Sequence, residues 1–68
     1  MISYEPFFTT IKRKGITQYQ LENDYLLSKG TLDRLRNNKN ISLYTLEYIC
    51  KLIDCKPDEV FIIVEDSQ

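Results

Sequence analysis

Between Thr17 and Asn37 the chain reads TQYQLENDYLLSKGTLDRLRN, a stretch that carries two helix-start signals eleven residues apart. Thr17 followed by Gln20 is a capping box: the hydroxyl accepts from the Gln20 backbone N–H and the Gln20 carboxamide reaches back to the Thr17 N–H. Ser28 is a second N-cap residue, and Leu32 and Leu35 after it mark one apolar side. The first segment, Gln18 to Asp24, makes roughly two turns with Leu21 facing inward and Tyr25 closing its end. Only Tyr25, Leu26 and Leu27 separate the two segments, so the spacing predicts two short amphipathic helices joined by a tight turn. Helices this short are not stable alone, and the rest of the chain has to cover their apolar sides.

The flanking segments supply that cover. Met1 to Tyr4 read as a lead-in. Pro6 suits a first helical turn, Phe7, Phe8 and Ile11 form an apolar face, and Gly15 supplies a C-cap, which predicts a helix over about residues 5–14. Lys12, Arg13 and Lys14 crowd its last turn, where cations suit the negative end of the helix dipole. Ile16 is the apolar staple before the next helix. Asn37 to Asn40 form a polar loop in which Asn can take the left-handed conformation. Ser42 caps a helix from Leu43 to Asp54, with Leu43, Leu46, Ile49, Cys50 and Ile53 as its core stripe and Glu47 and Lys51 paired on its outer face. Lys56-Pro57-Asp58-Glu59 reads as a turn into a fifth short helix that returns Val60 and Phe61 to the core. The run Phe61-Ile62-Ile63-Val64 does not alternate and is either a terminal strand or a patch for a partner.

Sixty-eight residues suffice for one small domain and leave no room for a shaped catalytic cleft. The chain has no His, no Gly-rich phosphate loop and no carboxylate pair in a plausible pocket, so an enzyme is the first reading to reject. Cys50 and Cys55 are too few for a four-ligand zinc site, and Cys50 reads as a small hydrophobe on a helix face. No metal or cofactor is expected. With no signal peptide and no apolar run near twenty residues, the expected location is the cytoplasm, with reduced thiols and no membrane contact.

Net charge is −1, but the charge is divided along the chain. Residues 1–40 hold seven basic side chains against four acidic, and residues 41–68 hold two basic against six acidic. One face is therefore suited to attract phosphates while the tail repels them. Basic side chains on an exposed helix are usually only a solvated face. On the second helix of a helix-turn-helix pair, Lys29, Arg34 and Arg36 are better read as DNA contacts. Lys12 to Lys14 keep the dipole reading. Asp33 can accept from a cytosine amine or pair with an arginine, and pairing is the better reading. The five tyrosines are scattered along the chain and read as packing rather than as a base-stacking platform.

The residues Ile16-Thr17-Gln18, Leu21, Leu27-Ser28-Lys29-Gly30-Thr31-Leu32, Leu35, Asn38-Lys39, Ser42, Thr45-Leu46, Ile49-Cys50, Ile53-Asp54-Cys55 and Pro57-Asp58-Glu59-Val60 together resemble the lambda-repressor-like, Cro/C1-type (XRE) helix-turn-helix domains, most of all the small stand-alone bacterial and phage regulators. The likeness covers about residues 5–61. Two positions depart from the family pattern. Glu22 stands where a small residue is usual, and Leu26 occupies the turn where Gly is usual and must avoid a positive φ or bear its cost.

The resemblance implies site roles residue by residue. Lys29, Gly30, Thr31 and Arg34 match base-reading positions; Arg34 is the strongest choice because a guanidinium bonds guanine O6 and N7 together, and Gly30 reads no base by side chain. Gln18, Ser28, Arg36, Asn38 and Lys39 match positions that hold the DNA backbone, which fixes register rather than sequence.

The reading is thus an all-α, compact five-helix domain spanning residues 1–68, with a core of about 5–61 and a tail at 62–68. It binds duplex DNA sequence-specifically as a transcriptional regulator, a repressor in the first instance, and works as a homodimer through Phe61, Ile62, Ile63 and Val64. The rival is a protein-interaction module of the same fold, or an antitoxin that binds a protein partner, which the acidic second half favours.

Overall fold

A computed structural model describes residues 1–65. Four helices follow one another: α1 (Glu5–Arg13), α2 (Gln18–Asn23), α3 (Lys29–Arg36) and α4 (Leu43–Ile53). The fifth helix expected after Pro57 is a single 3-10 turn, Pro57–Glu59. A two-stranded antiparallel sheet joins β1 (Ile2–Ser3) to β2 (Ile62–Ile63), with Ile2 opposite Ile63 and Ser3 opposite Ile62. The domain is therefore mostly helical with a small sheet, and neither all-α nor five-helical. The polar end expected from Glu65 onward lies beyond Glu65 outside the described residues.

The caps set the helix starts as the sequence requires. Thr17 Oγ1 accepts from Gln20 N at 3.0 Å while Gln20 Oε1 accepts from Thr17 N at 2.9 Å. Ser28 Oγ accepts from Thr31 N at 3.2 Å, and Ser42 Oγ from Thr45 N at 3.0 Å. Gly15 ends α1 at φ +73, which lets Ile16 N donate back to Ile11 O at 2.8 Å. Asn38 takes the left-handed conformation after α3, at φ +54, and Asp54 does so after α4, at φ +55.

Phe7, Leu21, Leu32, Leu35, Ile49 and Val60 are fully buried, and Ile11, Leu27 and Ile53 nearly so. Each such side chain contributes about 1.5–3 kcal/mol of burial. Tyr4 belongs to this core although it precedes α1. Its N–H donates to Asn38 Oδ1 at 3.0 Å and its hydroxyl to Lys39 O at 2.6 Å, so the supposed lead-in is tied to the loop after α3. Burial pushes its phenol above the ordinary tyrosine pKa, against a backbone contact from Ile41. Leu43, expected on the core stripe of α4, is exposed instead: as the first residue of the helix it borders a depression with Ile2, Tyr4, Leu46 and Phe61 rather than packing into the core. Tyr19 and Tyr44 are likewise exposed, so packing accounts for only part of the tyrosine set.

The 3-10 turn is bound to α1 by polar contacts. Thr10, buried, donates its hydroxyl to Glu59 O at 2.8 Å, and Arg13 bridges Glu59 Oε2 at 2.8 Å. The Lys56 N–H, donating to Glu59 Oε1 at 2.9 Å, holds that carboxyl below the usual range; desolvation opposes this, and the charges of Arg13, Lys14 and Lys56 reinforce it. A carboxylate held below its unfolded pKa stabilises the fold above the ordinary Glu range and loses that contribution as pH falls through the folded value. Urea unfolding of the natural chain and Glu59→Gln is thus expected to show a gap at pH 7 that closes toward pH 3. A gap of constant size across that range would contradict the assignment.

Candidate nucleic-acid interface

The turn from α2 to α3 is tight. Tyr25 N donates to Gln20 O at 3.0 Å and Leu27 N to Leu21 O at 2.8 Å, and Leu26 between them sits at φ +58. Leu26 thus bears the left-handed conformation that its position demands. Its side chain is 76 % exposed, whereas Leu27 turns into the core. The second departure, Glu22, is accommodated by charge: Glu22 Oε1 lies 3.9 Å from Arg36 Nη2.

Beyond this turn α3 buries Leu32 and Leu35 and exposes Lys29, Gly30, Asp33, Arg34 and Arg36. Thr31 lies half-buried at the edge. Arg34 stands between two shallow depressions, one lined by Thr31, Asn40, Ile41, Ser42 and Thr45, the other by Gly30, Asp33, Asn37 and Lys39. Among the described residues no carboxylate lies within salt-bridge distance of Lys29, Arg34 or Lys39. Arg34, Lys39 and the loop beside them line one exposed polar surface, and Lys29 is exposed at the start of the same helix.

The other backbone candidates are already engaged within the domain. Ser28 Oγ donates to Thr31 Oγ1 at 2.9 Å while capping α3. Asn38 spends its carbonyl oxygen on Tyr4 N and keeps its amide donors. Arg36 donates from Nε to Gln18 Oε1 at 2.8 Å and from Nη1 to Asp33 Oδ1 at 3.0 Å, so Asp33 pairs with an arginine as expected. Asn40, Ser42 and Thr45 were missed as neighbours of Arg34. The capping serine at 42 marked the start of α4, but nothing in the sequence placed that start beside α3.

Two of the comparisons with known proteins bear on this geometry. A family model described as the Cro/C1-type HTH DNA-binding domain matches residues 10–66. This chain belongs to the Cro/C1-type helix-turn-helix family. The Cro/C1-type chain is also 36% identical over 56 residues, 81% of its length, to the competence pilus inhibition repressor of Acinetobacter baylyi. It spans about half the length of that relative, 51%. No solved structure matches the chain.

Neither thiol belongs to the interface. Burial pushes Cys50 up and Cys55 to about 11, with Cys50 beside it adding to the Cys55 shift. Both are predominantly protonated at neutral pH and are poor nucleophiles. No helix among the described residues is long and apolar enough to cross a membrane.

The left-handed Leu26 makes the turn testable. An L side chain at this φ costs about 1–2 kcal/mol, and Gly loses about 0.5–1 kcal/mol more chain entropy on folding. Leu26→Gly is therefore expected to raise the unfolding free energy by about 0.5–1 kcal/mol in urea titrations. A net loss of stability would show that the Leu26 side chain makes contacts its exposure does not suggest.

Proposed function

We propose that this Cro/C1-type domain binds duplex DNA sequence-specifically as a transcriptional repressor, with α3 in the major groove. The observation that carries the reading is the exposed surface around Lys29, Arg34 and Lys39, whose cations have no intramolecular carboxylate partner among the described residues. Arg34 reads a guanine through O6 and N7, and Lys29 and Thr31 contact neighbouring base edges. Gly30 adds no side-chain contact and lets the helix approach closely. Gln18, Ser28, Asn38 and Lys39 hold phosphates, Asn38 through its unspent amide. The repressor role is supported by the name of the Acinetobacter relative.

One recognition helix gives little affinity, and two copies on an inverted repeat add theirs. The dimer contact is the exposed face of Phe61 to Val64, where Ile62 and Ile63 are 47% and 68% exposed although their backbone is paired with β1. Half-sites then lie one helical turn apart, about 34 Å.

Selection of bound sequences from random duplex DNA tests these points together. The natural chain is expected to enrich an inverted repeat. Arg34→Ala is expected to lose preference at one base pair of each half-site, about 1–3 kcal/mol of discrimination. Ile63→Lys is expected to retain the half-site and lose the repeat. No enriched site would refute specific recognition, and an unchanged site with Arg34→Ala would remove Arg34 as a reader.

A further inference from the structure

The seam between α2 and α3 holds four polar side chains, Gln18 and Glu22 from the first helix and Asp33 and Arg36 from the second. Arg36 joins them. Its Nε–H donates to Gln18 Oε1 at 2.8 Å, Nη1 donates to Asp33 Oδ1 at 3.0 Å, and Nη2 lies 3.9 Å from Glu22 Oε1. The group of four carries a net charge of −1, so a phosphate approaching the Arg36 guanidinium would also meet two carboxylates. That is a poor place for direct phosphate capture.

The same contacts fix the orientation of Gln18. An arginine Nε–H can only donate, so the carboxamide oxygen of Gln18 must face it and the amide nitrogen must face away. Nε2 has no acceptor within the domain among the described residues. A planar guanidinium can hold the carboxamide and a carboxylate at once with two of its nitrogens, whereas a lysine ammonium has no such fixed fork.

We propose that Arg36 is a positioning residue: it does not hold a phosphate itself but clamps the Gln18 carboxamide so that its NH2 group is presented to the DNA backbone. The assignment rests on the duplex-DNA reading given above and replaces the phosphate contact that the resemblance implied for Arg36. It also gives Glu22 a use, since the carboxylate at this normally small position helps hold the clamp against α2.

Duplex affinity is measured for the natural chain, Gln18→Ala, Arg36→Met and the double variant, with thermal unfolding of each as a check on folding. Gln18→Ala is expected to weaken binding about fivefold in the natural chain, the net worth of one hydrogen bond, and by less than about twofold once Arg36→Met is present. Equal losses in both backgrounds would make the two side chains independent and overturn the assignment. A second readout needs no substitution. On addition of duplex DNA the Gln18 side-chain NH2 signals in an NMR spectrum are expected to move and the Arg36 Nε–H signal to stay; a larger shift at Arg36 than at Gln18 overturns the proposal. If the natural chain binds no duplex DNA at low salt, the DNA reading falls and the assignment with it, while the Arg36 to Gln18 hydrogen bond remains visible in the free protein.

Discussion

Leu27 has to reach the core four residues after α2 ends, and the backbone turns left-handed at Leu26 to bring it there. With Leu27 seated, its N–H closes on Leu21 O and Ser28 follows in the extended conformation of an N-cap. The direction of α3 follows from that arrangement, since Leu32 and Leu35 must then face the same core as Leu21. Exposure of Lys29, Gly30 and Arg34 is the complement of that packing. Apolar packing of a few leucines thus decides which polar side chains are offered to a partner.

Cations in this domain do two kinds of work. Arg13 and Arg36 are drawn into contacts with Glu59 and Glu22 that join one element to another, and Arg36 also pairs with Asp33 on its own helix. Such exposed pairs are each worth little in stability, and their use is geometric. Lys29, Arg34 and Lys39 make no such pairs among the described residues. The acidic residues of the second half are partly consumed in the same way, Glu59 at the 3-10 turn and Glu47 against Lys51 at 3.9 Å. A net charge of −1 is therefore a poor guide to the surface around α3, where the local balance is positive.

Much of this was legible in the sequence because caps are local. Thr17, Ser28 and Ser42 each signal a helix start within three residues of themselves, and all three starts are observed where the caps place them. Core membership within α1 and α3 was legible from spacing. What was not legible depends on long-range pairing. Tyr4 continues the spacing of Phe7, Phe8 and Ile11 by one turn and could have been read as core from that alone, but its hydrogen bonds reach 34 and 35 residues along the chain. A terminal strand was one of the two readings of Phe61 to Val64 and is observed at Ile62–Ile63, but nothing local signalled its pairing with Ile2 and Ser3 at the other end of the described chain. Leu43 failed for the opposite reason: its spacing was right, but at the first position of α4 it borders a depression beside Ile2 and Phe61 and stays exposed. In the site, Arg34 was readable as an exposed cation, whereas the capture of Arg36 by Gln18 depends on how the two helices cross.

If the leucine-seated α3 presents its outer face to duplex DNA, that face must respond first when DNA is added. Mapping backbone amide shifts of the labelled chain during titration with duplex DNA at low salt measures this directly and works with a duplex of any sequence. The largest changes are expected at Gln18 and Tyr19 and from Ser28 to Arg34, fading as salt is raised. Changes concentrated instead at Lys51 to Glu59 or Ile62 to Val64, or no change at saturating duplex, would contradict that placement of α3.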